Sequence, residues 1–173
     1  MPKMLRQYSR KWRMQDIRLR ILLSVIIISF ILIVDHQSKK FIETLDQTVI
    51  LNSFITFHKV NNHGIAFSIF DNLDSSGLLF LNIIIVTVLI IIIRELLLNL
   101  KNSLFYVIGL SMIFAGGLAN LVDRLDNYSV TDFISIHVEN IYFPAIFNLA
   151  DPFITLGALF IIYYFIKDKN ELN

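Results

Sequence analysis

The stretch FAGGLANLVDRLDNYSVTDF, residues 114–133, runs from an apolar segment rich in small residues into one that carries Asp123, Arg124 and Asp132. Further along the chain, FNLADPF, residues 147–153, places Asp151 beside another apolar run. A carboxylate inside a membrane costs on the order of 3 kcal/mol unless it has a partner. Acids that border such runs therefore predict a polar functional site at the edge of a membrane-embedded fold.

The chain as a whole is apolar enough for a bilayer, since 55% of its 173 residues are hydrophobic and its mean hydropathy is +0.66. A helix crosses a hydrocarbon core of about 30 Å with roughly 20 residues. The segments long enough for this are 21–34 with its flanks, 77–93, 105–122 and 144–166. The first ends at Asp35 with no A-x-A-like cleavage pattern, so we expect it to be retained. The sequence therefore predicts an integral membrane, all-α protein with four transmembrane helices.

Basic residues cluster on one side of the predicted membrane. They are Lys3, Arg6, Arg10, Lys11, Arg13, Arg18, Arg20, Arg94, Lys101, Lys167 and Lys169. The positive-inside rule then places both termini in the cytoplasm and the segments 36–76 and 123–143 outside. Beside membrane spans such charge indicates anionic headgroups, so we expect membrane lipids as partners and no nucleic acid.

The two outside segments carry a second pattern. Residues 48–60 and 134–143 alternate roughly between apolar and polar side chains and are rich in β-branched and aromatic types, as strands are. We expect a small extracytoplasmic β-platform from them. The predicted organisation is a basic cytoplasmic extension, residues 1–17, followed by one four-helix membrane domain, residues 18–168. The chain has no cysteine, which excludes a thiolate metal site and a cysteine nucleophile.

Polar residues recur at helical spacing near the predicted outer membrane surface. Asp35 and Lys39 are four apart and can pair on one helix face. A plain interfacial salt bridge, with Lys39 snorkelling towards water, is the simpler explanation of that pair taken alone. Asn62, shortly before Gly64, indicates a turn that holds an amide near the membrane.

The third span ends in a polar face formed by Asn120, Asp123 and Arg124, which are spaced at i, i+3 and i+4. Such a trio can be a self-satisfied network, or it can hold a substrate backbone and orient a neighbouring acid; the spacing leaves both open. The run AGGLA, residues 115–119, predicts a close contact with another helix.

Asp151 has two possible positions in the fourth helix. Asp followed by Pro152 is a good helix start. However, a helix from Pro152 to Ile166 spans only about 22 Å, whereas one from Pro144 spans about 34 Å. We therefore predict that the helix starts at Pro144 and that Asp151 lies inside it, where an acid is a functional candidate.

A pair of carboxylates in a poorly solvated site has a particular chemistry. Because both cannot ionise easily, the two share one proton. The ionised acid can then deprotonate a water, while the protonated one polarises a carbonyl and protonates a leaving nitrogen. If Asp132 and Asp151 form such a pair, they suit peptide hydrolysis without a metal or other cofactor.

Five motifs are similar, in order and approximate spacing, to those of the bacterial lipoprotein signal peptidases (signal peptidase II). They are VDHQSK (34–39), NHGIAF (62–67), GGLANLVDR (116–124), VTDF (130–133) and FNLAD (147–151). The resemblance covers residues 20–166. It implies a four-helix aspartic endopeptidase of the inner membrane that cleaves prolipoproteins just before a diacylglyceryl-modified cysteine. We expect a monomer.

The resemblance also implies roles for single residues. Asp132 and Asp151 are the implied catalytic pair. The implied supporting or substrate-binding residues are Asp35, Lys39, Asn62, Asn120, Asp123, Arg124 and Asn148. The chain departs from the family pattern at His36, Ser38, Ala119, Tyr128 and Pro152. Since Tyr128 stands in place of a loop glycine, we expect Asn127 to supply the positive φ of that turn.

Three other classes of protein compete with a peptidase. A transporter or proton carrier would place its acids near the membrane midplane, often in repeated halves, and no repeat is present. A metal-dependent lipid hydrolase would use Asp132, Asp151, His63 and His137 as ligands, although neither histidine has a second ligand at helical spacing. An inactive scaffold would have no need for two desolvated acids.

Overall fold

The computed structural model describes residues 3–45, 47–64, 75–138 and 141–171. Its helices are α1 (Lys3–Glu43), α2 (Ser75–Leu98), α3 (Leu104–Asn127) and α4 (Ala150–Glu171). Its strands are β1 (Val49–Ile50), β2 (Ile55–Asn62), β3 (Val130–Val138) and β4 (Ile141–Tyr142). Each helix contains a stretch long and apolar enough to cross a membrane. The predicted four-helix, multi-pass membrane architecture is confirmed.

Helix α3 is the centre of the bundle and packs against the other three helices. In its most apolar window 61% of the residues are buried, compared with 11% in the corresponding window of each other helix. The outward faces of α1, α2 and α4 are covered with exposed leucine, isoleucine, valine and phenylalanine side chains. Such apolar faces are suited to contact with lipid. The polar residues of α3 lie inside the bundle, where the other helices shield them from the bilayer.

Glycines allow α3 and α4 to approach closely. A Cβ atom on Gly109 would lie 2.7 Å from the carbonyl oxygen of Gly157, and one on Gly116 would lie 2.7 Å from that of Ala150. A side chain at either position would separate the helices. The close contact predicted from residues 115–119 is thus present, and it holds the first turn of α4 against α3.

The strands form one antiparallel sheet in the order β1, β2, β3, β4. The β-platform is confirmed, but its boundaries differ from the prediction. Residues 48–60 form the β1–β2 hairpin and not a single strand, and β3 begins at Val130, before the expected start at residue 134. The pairing of Val60 with Asp132 therefore places that acid in the ladder between β2 and β3.

The predicted start of the fourth helix is wrong. The helix begins at Ala150 and not at Pro144, so Asp151 lies in its first turn and not two turns inside. The length argument failed because α4 continues to Glu171, beyond the expected end at Ile166, and needs no early start.

The turn that leads from α3 to β3 also differs from the prediction. Tyr128 itself has the left-handed conformation, with φ 56° and ψ 12°, and Asn127 is still helical. The N–H group of Tyr128 donates to the carbonyl oxygen of Arg124 at 3.0 Å, which closes the helix. The residue after the helix takes the positive φ, so the strain falls on the tyrosine.

Candidate active site

The predicted polar residues meet at the end of the bundle that carries the sheet. Hydrogen bonds and ion pairs connect Asp35, Lys39, Asn62, Asn120, Asp123, Arg124, Asp132, Asn148 and Asp151 into one network. The network joins the second half of α1, the end of α3, the start of α4 and the strands β2 and β3. Its acids lie at one end of the bundle, so the transporter alternative finds no support.

Lys39 is the hub on the α1 side, with 4% of its surface exposed. Its Nζ atom lies 2.6 Å from Asp35 Oδ2, 2.7 Å from Asp123 Oδ2 and 3.1 Å from Asn120 Oδ1. The other oxygen of Asp35 accepts the N–H of Ala150 at 2.9 Å. The three ammonium protons are therefore used. The snorkelling interpretation is wrong, because this pair ties α1 to α3 and α4.

Asn148 caps α4 and also binds both candidate catalytic acids. Its Oδ1 atom accepts the N–H groups of Ala150 and Asp151 at 2.9 and 3.3 Å, and Asp151 Oδ2 accepts the N–H of Asn148 at 3.0 Å. This reciprocal arrangement is a capping box, so Asn148 and not Asp151 is the N-cap. The Nδ2 atom of Asn148 donates to Asp132 Oδ1 at 2.7 Å. The fully buried Asn148 thus bridges the two acids, with its side-chain amide on Asp132 and its backbone N–H on Asp151.

Each acid of the pair accepts one further amide hydrogen. Asn120 Nδ2 donates to Asp151 Oδ1, and Asn62 Nδ2 donates to Asp132 Oδ2, both at 2.8 Å. The Oδ1 atom of Asn62 accepts the N–H of Gly64 at 2.9 Å, which confirms the predicted turn. Since every side chain that orients the pair is itself held by a second contact, the site is rigid before any ligand binds.

Burial of Asp132, which is 4% exposed, raises the pKa of its carboxyl group to about 6. The negative charge of Asp151 contributes to this rise in pKa, while the hydrogen bonds from Asn62 and Asn148 oppose it. A carboxyl group with its pKa raised in this way keeps its proton more readily than an exposed one does.

The charges of the network do not balance. It contains the acids Asp35, Asp123, Asp132 and Asp151 and two bases, Lys39 and Arg124, so the net charge is −2 when all are ionised. Lys39 pairs with Asp35 and Asp123 and compensates only one of their two negative charges. The excess of negative charge makes full ionisation of the network costly, which favours a shared proton between neighbouring acids.

Arg124 connects the network to the end of β2. It is 8% exposed, and its Nη1 and Nη2 atoms donate to the carbonyl oxygens of Asn120 and Gly64 at 3.3 and 2.5 Å. The polar trio at the end of the third span is thus not self-contained, because Arg124 binds the turn that follows Asn62.

The histidines of the metal-hydrolase alternative are engaged elsewhere. His137 Nε2 lies 3.0 Å from Thr56 Oγ1, and its ring lies 5.1 Å from that of Tyr142. His63 Nδ1 lies 3.1 Å from the carbonyl oxygen of Tyr128. Neither is hydrogen-bonded to the acid pair, and within the described ranges no group of three or more potential ligands could hold a metal ion.

Sequence reasoning missed two main-chain groups, the N–H of Ala150 and the carbonyl of Gly64. Small residues at both positions were the only signal, and such residues are common in any turn. It also missed that Asn148, expected only to order the site, is the bridge between the acids.

The fold and the site together define a multi-pass membrane protein in which Asn148 connects two carboxylates, those of Asp132 and Asp151. The family profile described as signal peptidase (SPase) II matches residues 27–167. The chain belongs to this family and is a peptidase.

Similar proteins agree with this assignment. A lipoprotein signal peptidase of Staphylococcus haemolyticus is 35% identical over 155 residues, which cover 87% of this chain and 95% of the relative. One of Bartonella bacilliformis is 39% identical over 124 residues, or 69% and 73% of the two chains. A solved bacterial membrane enzyme superposes with a TM-score of 0.71 at 27% identity, covering 88% of this chain and 93% of that one.

Proposed function

We propose that Asp132 and Asp151 are the catalytic residues of an endopeptidase that removes the signal peptide from prolipoproteins. The observation that carries this proposal is the bridge formed by Asn148, which donates to Asp132 through its side chain and to Asp151 through its backbone. The bridge holds two carboxylates of different elements in one orientation. In this arrangement the two carboxylates can share one proton.

The two acids have different surroundings, which suggests different roles. Asp132 is the more deeply buried and has the raised pKa, so it holds the proton, polarises the scissile carbonyl and protonates the leaving nitrogen. Asp151 lies in the first turn of α4, where the helix dipole favours negative charge. It therefore takes a proton from the attacking water. The protons balance, since Asp151 gains the one that Asp132 loses.

The remaining network residues position this pair and the substrate backbone. Lys39 forms ion pairs with Asp35 and Asp123 and holds Asn120, which in turn orients Asp151. Asn62 and Asn148 orient Asp132. Arg124 supports Asn62 indirectly through Gly64.

The surroundings of the site favour a substrate with a lipid anchor. The helices that frame it expose apolar side chains to the bilayer, so a diacylglyceryl-modified cysteine could reach the site without leaving hydrocarbon. We infer cleavage just before that cysteine. From the distribution of basic residues and the positive-inside rule we infer that both termini are cytoplasmic and that the site lies at the outer face of the cytoplasmic membrane. The network is contained in one chain, which is consistent with a monomer among membrane lipids.

The proposal is tested with a diacylglyceryl-modified prolipoprotein peptide and purified protein in detergent containing EDTA. Asp132→Asn and Asp151→Asn should each abolish cleavage while the thermal unfolding temperature falls little. Asp126→Asn is the matched control, because this exposed acid lies near the end of α3 outside the network. Cleavage that persists in either of the first two variants would refute the catalytic assignment. Loss of wild-type cleavage in EDTA would favour the metal hydrolase.

A further inference from the structure

The first part of helix α1 extends past the bundle and takes no part in the polar network. Helix α1 is continuous over Lys3–Glu43. Arg20 donates through Nη1 to the carbonyl oxygens of Leu100, at 2.9 Å, and Asn102, and so marks the level of the connection between α2 and α3. Residues 3–19 therefore extend α1 by about 25 Å past that connection.

One face of α1 is exposed along the predicted membrane span. Its residues follow one another at steps of three or four, and each exposes between 55% and 60% of its surface: Leu19, Leu22, Ile26, Phe30 and Ile33. Steps of this size keep residues on one face of a helix. We call this face the lipid stripe of α1, because its large apolar side chains are turned away from the other helices.

The lipid stripe continues into the first turns of the helix. Leu5, Tyr8 and Trp12 follow at steps of three and four, and Trp12 lies one heptad before Leu19. Seven residues are about two turns, so both groups belong to one helix face. An apolar stripe that continues past the bundle would be unfavourable in water, which indicates that another surface covers it.

The opposite face of this segment is basic. It consists of Lys3, Arg6, Arg10 and Arg13, again at steps of three or four. With Lys11, residues 3–15 contain five basic residues and no acid. The surface that covers the segment must therefore combine apolar groups with negative charge.

A membrane surface with anionic phospholipids has both properties and adjoins the segment. We propose that residues 3–15 form an interfacial helix on the cytoplasmic leaflet, with the lipid stripe in the headgroup region and the basic face held by anionic phosphates. Membrane-surface helices have this composition, with Lys and Arg on the polar face and Trp or Leu on the other.

The arrangement of α1 is compatible with such a position. The stripe already faces lipid in the span, so a turn of the helix away from the bundle keeps the same stripe against the membrane. The polar residues Gln15 and Asp16 separate Trp12 from Leu19, and the change of direction falls there. The inference does not depend on the peptidase activity.

Trp12 is the only tryptophan of the chain, so its fluorescence reports on this segment without a label. The full chain is reconstituted in vesicles of phosphatidylcholine, alone or mixed with phosphatidylglycerol. In the mixed vesicles Trp12 should emit at shorter wavelength, and lipids brominated near the headgroup should quench it more than lipids brominated at the chain end. Raising the ionic strength from about 0.1 M to about 1 M shortens the Debye length from about 10 Å to about 3 Å and should reverse most of the shift.

Matched variants separate the charge from the apolar stripe. The triple variant Arg6→Gln, Arg10→Gln and Arg13→Gln should lose most of the shift and the quenching, whereas the corresponding triple change to Lys keeps the charge and should retain both. Leu5→Gln combined with Tyr8→Gln interrupts the stripe and should reduce the quenching at unchanged charge. All three variants should unfold at the wild-type temperature in neutral detergent, because the segment lies past the bundle.

Each remaining outcome would overturn the inference. Emission that is the same in both kinds of vesicle shows that anionic lipid is not the partner, and so does a shift that the Gln triple variant retains. A shift without quenching by either brominated lipid assigns the stripe to a second copy of the chain. A shift that requires added RNA assigns the basic face to nucleic acid. None of these readouts uses cleavage, so a failure of the proposed function leaves them interpretable.

Discussion

Asn148 has two structural roles that different substitutions can separate. Its Oδ1 atom caps α4, and its Nδ2 atom donates to Asp132. Serine is as good an N-cap as asparagine but has no second donor, so Asn148→Ser keeps the cap and removes the bridge. Asn148→Ala removes both and should cost about 1 kcal/mol more of the free energy of unfolding.

The bridge has a measurable electrostatic effect. The hydrogen bond from Asn148 stabilises the ionised form of Asp132 and thereby lowers a pKa that burial has raised to about 6. A hydrogen bond to a charged group is worth about 1.5 kcal/mol, and about 1.4 kcal/mol corresponds to one pKa unit. Without the bridge the pKa of Asp132 should therefore rise to about 7.

The sign of the change in activity follows from the role of Asp132. If it acts in its protonated form, kcat/KM falls as the pH rises through its pKa, and the apparent value belongs to the acid pair. In Asn148→Ser the alkaline limb of the profile should move upward by about one unit. The assay is cleavage of a lipidated prolipoprotein peptide between about pH 5 and pH 9. An alkaline limb that stays in place or moves downward would show that Asp132 is not the proton-holding acid.

Three further substitutions test the fold around the site. Lys39→Met leaves two buried acids without their cation and should lower the free energy of unfolding by about 3–5 kcal/mol. Lys40→Met, at an exposed position, is the control and should change it little. Thermal or chemical unfolding in detergent measures both variants. Gly116→Ala forces a Cβ atom to 2.7 Å from the Ala150 carbonyl and should cost about 1–3 kcal/mol and reduce kcat, and wild-type stability would contradict the packing. Tyr128→Gly relieves a φ of 56° and should raise the free energy of unfolding by about 1 kcal/mol. An unchanged free energy of unfolding would show that the αL conformation of Tyr128 carries no strain.

The membrane class and the residues that form the polar network could be predicted from the sequence, because they depend on local chemistry. A run of apolar residues long enough to cross a bilayer can be recognised without knowledge of its neighbours. The acids that border such runs stand out because burying them unpaired is costly. The order of the motifs indicated which polar residues belong to one site, and all nine candidate residues meet in one network.

Helix limits and the partners of single atoms could not be predicted in this way. Pro144 was expected to start the fourth helix because its length was judged against the bilayer alone, whereas the capping box of Asn148 and Asp151 starts the helix at Ala150. The snorkelling interpretation of Lys39 likewise considered only the residues of its own helix. It failed because α3 brings Asp123 and Asn120 to the same ammonium group.

The sequence by itself determined that this is a four-helix membrane protein with acids beside its apolar segments, since hydropathy and residue type depend on each segment alone. Only the tertiary structure decided which groups face each other: the bridge from Asn148 to both acids, the burial that raises the pKa of Asp132, and the ion pairs of Lys39 with Asp35 and Asp123. These contacts join residues far apart in the chain, and a shift of one residue in the register of a helix would turn a side chain away from its partner.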